Sequence, residues 1–295
     1  MIEAKIVADS IGSNGVRLTT FVLTYPRFIH AEFMTHRVFS RNASSSRAIP
    51  VKKSIQMVLD NPAVPLAFTR NKAGMQGGDP LDEEAAKAAE YAWLTAMGYA
   101  VKYAQMLADL DVHKQYANRI LEPYSHITVV ATATDLDNFF ALRCHYMAQP
   151  EICELAMKML EAYNSNTPET LEDGMWHLPF VDDKCMQEVK DKFEVSCLQD
   201  SEEAVAVAIK RSVARCARVS YMNHDGTTTT IDDDIKLYDR LLGSAPVHAS
   251  PAEHQAQAGI LAEDSHSGNL RGWLQFRKTL DYENIEEFTG PVLKP

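Results

Sequence analysis

A run of residues at positions 36–50, HRVFSRNASSSRAIP, concentrates side chains that can bind a compact anion. Arginine offers a planar, permanently charged fork that matches two phosphate oxygens, and serine hydroxyls supply short donors for the remaining oxygens. The segment RNASSSR holds both kinds of donor within seven residues. A solvated polar loop has the same composition, so the run by itself leaves both interpretations open. Further contacts from other parts of the chain would favour the phosphate-binding interpretation.

The composition limits what that anion can be. The chain has 295 residues and a formal net charge of −11, whereas a general nucleic-acid surface needs clustered positive charge. We therefore expect no nucleic-acid partner and a small anion in a local basic pocket. The N-terminal MIEAKIVADS lacks the apolar core of a signal peptide, and no run approaches the roughly 18 apolar residues of a membrane span. The five cysteines show no C-x-x-C spacing, which predicts no disulfide framework, no metal site and a cytoplasmic location.

The elements that would position the run follow from periodicity and capping residues. Residues 16–26, VRLTTFVLTYP, alternate apolar and polar and predict a strand. Asp79 followed by Pro80 predicts the start of a long helix after a loop at 72–79. Three further helices are expected, from Pro150, over 201–215 and from Thr230 to Gly243. With no repeat and no low-complexity linker, the pattern predicts one α+β domain over 1–295.

The Ser/Arg run resembles the signature of the flavin-dependent thymidylate synthases, Arg-His-Arg-x-x-Ser-x-Asn-Glu-x-Ser-x-Arg. The matching positions are His36, Arg37, Ser40, Asn42, Ser45 and Arg47. The sequence departs from the signature at Thr35, where the family has its first arginine, and at Ala43, where it has glutamate.

Three other segments are similar to motifs of the same family. DNFFALRCHYMAQPEI at 137–152 is similar to its Asn-Phe-Leu-x-Leu-Arg and Ala-Gln-x-Glu-Ile, with Met147 in place of a common histidine. ARCARVSY at 214–221 is similar to Arg-Val-Ser-Phe, and HASPAEH at 248–254 to His-x-Ser-Pro-Phe-Glu-His. The last two motifs precede the signature in the family and follow it here, which predicts a circular permutation.

The permutation predicts that His254 lies near the start of the strand at 16–26. It also predicts that 255–295 leaves the core and packs outside. In that segment Arg271, Arg277 and Lys278 are either cations that reach an anion or solvated charges on a packed tail.

The resemblance implies a role for each matched residue. The implied flavin contacts are His36, Arg37, Asn138, Ser220, His248, Ser250 and Glu253. The implied nucleotide contacts are Ser44, Ser45, Ser46, Arg47, Arg119 and Arg143, with Ser45 and Arg143 as the catalytic pair. Taken singly, each has a structural alternative: a surface charge for Arg143, an ion pair for Arg218 and a structural role for His248 or His254.

The resemblance also implies an activity and a fold. The fold would be an antiparallel sheet packed with long helices. The activity would be C5 methylation of dUMP to dTMP with methylenetetrahydrofolate, NADPH and FAD. The family's homotetramer would share its active sites, and the signature loop and the Ser-Pro-x-Glu-His turn would meet across an interface. Because the flavin carries the chemistry, no cysteine nucleophile is expected. Two alternatives stay open: a flavin-dependent hydroxymethylase of dUMP or dCMP, and a flavin- or nucleotide-binding homologue without turnover.

Overall fold

A computed structural model of the chain describes residues 1–219, 229–243, 247–259 and 264–284. The strands are β1 (Glu3–Ile11), β2 (Arg17–Pro26), β3 (Ser40–Ala43), β4 (His126–Ala133), β5 (Glu169–Thr170), β6 (Trp176–His177), β7 (Ala256–Gln257) and β8 (Leu274–Gln275). The helices are α1 (His30–Met34), α2 (Val51–Asp60), α3 (Glu83–Asp109), α4 (Lys114–Ala117), α5 (Asp137–Arg143), α6 (Pro150–Ser165), α7 (Asp183–Phe193), α8 (Glu202–Arg218), α9 (Ile231–Leu242) and α10 (Asp264–Ser267). The fold is mixed α+β, as expected.

The main sheet has the strand order β3-β4-β2-β1-β5. All its pairs are antiparallel except the two-residue parallel contact between β1 and β5. The strand predicted at 16–26 is confirmed as β2, the central strand. It follows β1 after a tight turn at 12–16, where Gly15 takes a φ of +77°, a left-handed conformation that favours glycine. The antiparallel pairing of β3 with β4 fixes the start of the Ser/Arg run against the core.

The sheet buries both of its faces. Because side chains alternate along a strand, Phe21, Leu23 and Tyr25 of β2 point to one face, where they join a core that includes Ile152 and Leu155 of α6. On the other face, Val22 and Val130 pack with Cys216 and Val219 at the end of α8. The C-terminal end of α8 is thereby held against the strands that lead into and out of the Ser/Arg run.

The helix predictions were right for three helices and misplaced the start of a fourth. The helices expected from Pro150, over 201–215 and from Thr230 are confirmed as α6, α8 and α9. The loop at 72–79 is also present, but α3 begins at Glu83 with Asp82 as its N-cap, accepting from the Ala85 amide at 3.0 Å. Pro80 instead forms an isolated β-bridge with Thr69, which keeps this segment extended for three more residues. In the described ranges, no helix is both long enough and apolar enough to cross a membrane.

The segment after His254 belongs to the core, so the expectation that it packs outside was wrong. β7 pairs with β6 and β8 in a second, three-stranded sheet. Ala256, Leu270 and Trp273 are fully buried and form one cluster with Leu18 of β2. The predicted proximity of His254 to the strand at 16–26 is confirmed: its ring hydrogen-bonds with Thr132, whose hydroxyl hydrogen-bonds with Thr20 of β2, both at 2.8 Å. Residues 285–295 lie outside the described part of the chain.

Candidate functional site

The Ser/Arg run leaves β3 and folds into a 3-10 turn at Ser46–Ala48. Ser45 caps this turn, since its hydroxyl accepts from the Arg47 amide at 3.3 Å. The exposure alternates along the run: Ser44 and Ser46 are buried, Ser45 is half-buried and Arg47 is exposed. The turn therefore presents Ser45 and Arg47 to one side.

The inward side chains of the run hold the turn in place. The Asn118 side-chain amide donates to the carbonyls of Ser46 and Ile49 at 2.7 and 2.8 Å, and the Ser46 hydroxyl donates to Glu122 at 2.7 Å. The Ser44 hydroxyl accepts from the Thr128 amide at 3.1 Å. Ser44 and Ser46, both expected to contact the substrate, thus make their hydrogen bonds inside the fold.

A cleft of about 470 Å³ lies on the side of the turn that carries Ser45 and Arg47. Its described lining residues are Asn42, Ala43, Ser45, Arg47, Ala48, Gln115, Ala217, Leu241, His248, Ser250 and Pro251. None of them is acidic, although the chain carries 40 Asp and Glu residues. A guanidinium, two hydroxyls and two side-chain amides, with no carboxylate among the described lining residues, suit an anion.

Two distant motifs meet in this cleft within one chain. Ser250 of the Ser-Pro-x-Glu-His turn approaches the side-chain oxygen of Asn42 at 3.5 Å, and Asn42 donates to the Cys216 carbonyl at 2.8 Å. The expectation that these motifs meet across a subunit interface was therefore wrong. Ser220, the expected flavin contact that follows α8, lies outside the described residues.

Arg143 and His36 form a second polar group next to the run. Arg143 Nε donates to His36 Nε2 at 2.9 Å, and an Nη group reaches the Thr35 hydroxyl at 3.4 Å. Burial, together with the charges of Arg143 and Arg41, lowers the pKa of His36 to about 4. The imidazole is therefore neutral at pH 7, with a lone pair on Nε2 that orients the Arg143 guanidinium. An edge-on contact with Phe139, 4.8 Å between ring centroids, fixes the plane of the His36 ring.

Four other residues that were expected to contact flavin or nucleotide are exposed or form ion pairs within the chain. Arg37 and Asn138 are exposed. Arg119 is also exposed and donates to both carboxylate oxygens of Glu122, at 3.0 and 3.2 Å. Glu253 forms an ion pair with Arg277, which opposes the rise that burial causes in the Glu253 pKa.

One residue of the cleft gave no sequence signal, and two candidate anion ligands have other partners. Gln115 lines the cleft from the short helix α4, and no motif pointed to it. For Arg277 and Lys278, the sequence left open an anion ligand or a solvated charge, and the anions that both side chains contact are carboxylates of the chain itself. Arg277 pairs with Glu253 and Glu283, and Lys278 pairs with Glu283 at 2.8 Å.

His254, at the end of the same turn as Ser250, points into the core. A buried chain of hydrogen bonds of 2.8–2.9 Å runs through Ser10, His177, Thr20, Thr132 and His254. Burial lowers the pKa of both histidines to about 3, so both rings are neutral. The turn therefore has a buried anchor at His254 and a cleft-facing residue at Ser250.

The Arg-Val-Ser motif is anchored by a buried carboxylate. Asp234 of α9 is fully buried and forms ion pairs with Arg211, Arg215 and Arg218 of α8, at 3.4, 3.2 and 3.1 Å. Arg211 is itself fully buried and also pairs with Glu188 at 2.8 Å. Arg218 thus forms an ion pair, the structural role that the sequence left open for it. Asp234 also holds in place the end of α8 that borders the cleft.

The fold is α+β and its cleft has a described lining that suits an anion, and comparison with known families assigns the protein further. The family model described as "Thymidylate synthase complementing protein" matches residues 17–169, just over half of the chain. The chain belongs to this family, and it is a flavin-dependent one-carbon transferase. The match covers the strand β2, the Ser/Arg run and the segment that carries Arg143.

Solved structures with a similar fold include a UMP/dUMP methylase, PolB, from Streptomyces cacaoi. Its structure bound with 5-Br UMP is 20% identical with a TM-score of 0.46, and the match covers 55% of this chain and 88% of that chain. Its structure bound with 5-Br dUMP is 24% identical with a TM-score of 0.42, covering 52% and 69%. No curated protein sequence matches the chain.

Proposed function

We propose that this enzyme methylates dUMP at C5 to give dTMP, with methylenetetrahydrofolate as carbon donor and NADPH as reductant. The observation that carries the proposal is the cleft with no described acidic lining residue, in which the signature residues Ser45 and Arg47 face His248 and Ser250. Its volume, about 470 Å³, is within the range of sites that enclose a small organic ligand. The matched family supplies the class of reaction.

The substrate contacts in this proposal follow the direction in which each side chain points. Ser45 and Arg47 bind the 5′-phosphate, and that binding energy holds the pyrimidine ring in place. Arg143, oriented by His36, binds the base and stabilises negative charge that develops on its carbonyl oxygens as C5 attacks the carbon donor. Arg119 stays in the proposal as a second phosphate cation, which requires that its guanidinium leave Glu122.

The donor groups around the cleft also fit part of a flavin cofactor. His248 and Ser250 line the cleft, while Arg37 and Asn138 are exposed. FAD, a dinucleotide, is larger than a site that encloses one small ligand, so it would extend beyond this cleft. When bound, FAD supplies the hydride transfer that takes the one-carbon unit to the methyl level. We therefore include in the proposal a homotetramer in which another subunit completes each flavin site.

The single-domain organisation over 1–295 is part of the same proposal. It is supported by the burial of Ala256, Leu270 and Trp273 against Leu18, which joins distant parts of the chain in one core.

The mass of the nucleotide product tests the proposed reaction. The purified enzyme, expected to be yellow with FAD, is incubated with dUMP, NADPH and methylenetetrahydrofolate labelled in the one-carbon unit. We expect labelled dTMP, and roughly ten- to a hundredfold less product from the Arg47→Ala variant at low dUMP. A hydroxymethylated pyrimidine would instead indicate the hydroxymethylase. Tight dUMP binding without any product would indicate a non-catalytic homologue. Light scattering of the same sample gives the oligomeric state.

A further inference from the structure

One side-chain amide of the cleft takes no part in the contacts proposed so far. Gln115 of α4 lines the cleft and is half-buried, and its backbone amide donates to His113 Nδ1 at 3.2 Å. Its side-chain amide has no hydrogen-bond partner in the described part of the chain. Asn42, the other amide of the described lining, already donates to the Cys216 carbonyl at 2.8 Å. The Gln115 amide is therefore available to a ligand in the cleft.

Glutamines on other helices bond within their own helix. In three of them the side-chain amide donates to an aspartate four residues later, at 2.6–2.7 Å; these are Gln56, Gln105 and Gln187. The residue four positions after Gln115 is Arg119, whose side chain carries donors only and bonds to Glu122. The arrangement that occupies the other three amides is therefore closed to Gln115.

Hydrogen bonds on both sides of Gln115 fasten α4 to the 3-10 turn that follows β3. Lys114, one residue earlier, donates from Nζ to the Ala48 carbonyl at 3.1 Å. Asn118, three residues later, donates from Nδ2 to two carbonyls of the same segment, at 2.7 and 2.8 Å. Gln115 is therefore held on the side of the cleft that this turn forms.

A phosphate group in the cleft would need more donors than the two residues already proposed. A phosphate monoester carries three strong acceptor oxygens. The Arg47 guanidinium matches two oxygens, and the Ser45 hydroxyl supplies one further donor. A glutamine amide adds two N–H donors without adding a carboxylate. On this side of the cleft, Gln115 is the described lining residue that offers such a donor.

We propose that Gln115 binds the 5′-phosphate of the nucleotide, donating from Nε2 to a phosphate oxygen beside Ser45 and Arg47. The inference rests on the proposed function, because that function supplies the nucleotide. It adds a substrate-binding residue that lies on α4, outside all four motifs of the family resemblance.

Isothermal titration with dUMP compares Gln115→Leu with a matched control, Gln76→Leu. Leucine forms helices about as readily as glutamine and has no donor. Gln76 is exposed and does not line the cleft. We expect Gln115→Leu to bind dUMP about tenfold more weakly than the parent protein, and Gln76→Leu to bind it as tightly as the parent.

A third variant, Gln115→Lys, restores a donor and should bind dUMP more tightly than Gln115→Leu does. Gln115→Met serves as the donor-free variant if circular dichroism shows that Gln115→Leu does not fold. Equal dUMP affinities of the donor-free variant and Gln76→Leu would overturn the inference.

Inorganic phosphate, added as a competitor of dUMP at constant ionic strength, identifies the part of the nucleotide that Gln115 contacts. We expect the donor-free variant to need about tenfold more phosphate than the parent protein for the same fractional occupation of the site. Weaker dUMP binding with unchanged phosphate competition would place Gln115 at the base or the sugar and refute the phosphate contact. If the parent protein binds no dUMP, the proposed function fails, and this inference fails with it.

Discussion

Replacing Arg47 by alanine should weaken the binding of dUMP while leaving the fold intact. Arg47 lines the cleft, is exposed, and forms no ion pair with any residue in the described ranges. Its guanidinium is therefore available to the phosphate without first giving up a carboxylate. Because Arg47 contacts the turn through its backbone amide, which donates to the Ser45 hydroxyl, its side chain can be removed without unfolding the turn.

The size of the effect follows from the kind of contact that is lost. A hydrogen bond to a charged group contributes about 1.5–3 kcal/mol, which corresponds to roughly ten- to a hundredfold in affinity. The effect should shrink as salt is added, because part of the attraction is screened. Arg119→Ala should have a smaller effect, since Arg119 already pairs with Glu122.

Isothermal titration with dUMP measures the change, and Lys53→Ala is the matched control. Lys53 is an exposed cation on α2 that does not line the cleft, so its removal lowers the net charge by the same amount. We expect the control to bind dUMP within about twofold of the parent protein, since a distant exposed charge is screened. If Arg47→Ala binds dUMP as tightly as Lys53→Ala does, the cleft is not the phosphate site.

Three further outcomes are expected. Asp234→Asn should lower the free energy of unfolding in urea by about 3–5 kcal/mol, because it leaves buried arginines without their carboxylate; Asp232→Asn, at a side chain that is 76% exposed, should change it little. For His177 and His254 the pKa in the folded state, about 3, lies below the unfolded value of roughly 6.5. The unfolded state therefore binds more protons, and the free energy of unfolding falls as the pH drops below about 6.5. Urea titrations from pH 7 to pH 4 would contradict this if the midpoint stayed constant. Serine in place of any single cysteine should leave turnover measurable, since no cysteine lines the described cleft; loss of turnover in a folded variant would indicate a thiol nucleophile.

Periodicity and capping residues predicted the elements whose formation depends mainly on residues that are close in the sequence. The alternation at 16–26 and the capping pair Thr230 and Asp233 each produced the expected element, because few competing contacts act on them. The start of α3 was misplaced because Asp79 and Asp82 are both adequate N-caps. A β-bridge between Thr69 and Pro80, a contact that sequence reading did not include, decided between them.

The residue types of the candidate site were predictable from the sequence. The directions in which their side chains point were less predictable. The motifs brought Ser45, Arg47, His248 and Ser250 into one set, and they line one cleft. The direction of each serine depends on the pairing of β3 with β4, which turns Ser44 inward to Thr128. Gln115 could not have been found at all, since its place in the cleft depends on tertiary packing alone.

Because residues far apart in the sequence line the cleft, the cleft is completed only late in the synthesis of the chain. The turn with Ser45 and Arg47 lines one part of the cleft, and His248 and Ser250 line another. About 200 residues of chain separate the two parts. At about 5–20 residues per second, a ribosome takes roughly 10–40 s to make that stretch. For that time the emerging chain carries the turn that we propose binds phosphate without the other side of the cleft, and Leu18 without the cover of Trp273. A chain released before residue 248 would thus expose apolar surface and, on the proposed function, lack one side of the nucleotide site. We therefore expect nucleotide binding only after the later segment has folded back onto the first strands.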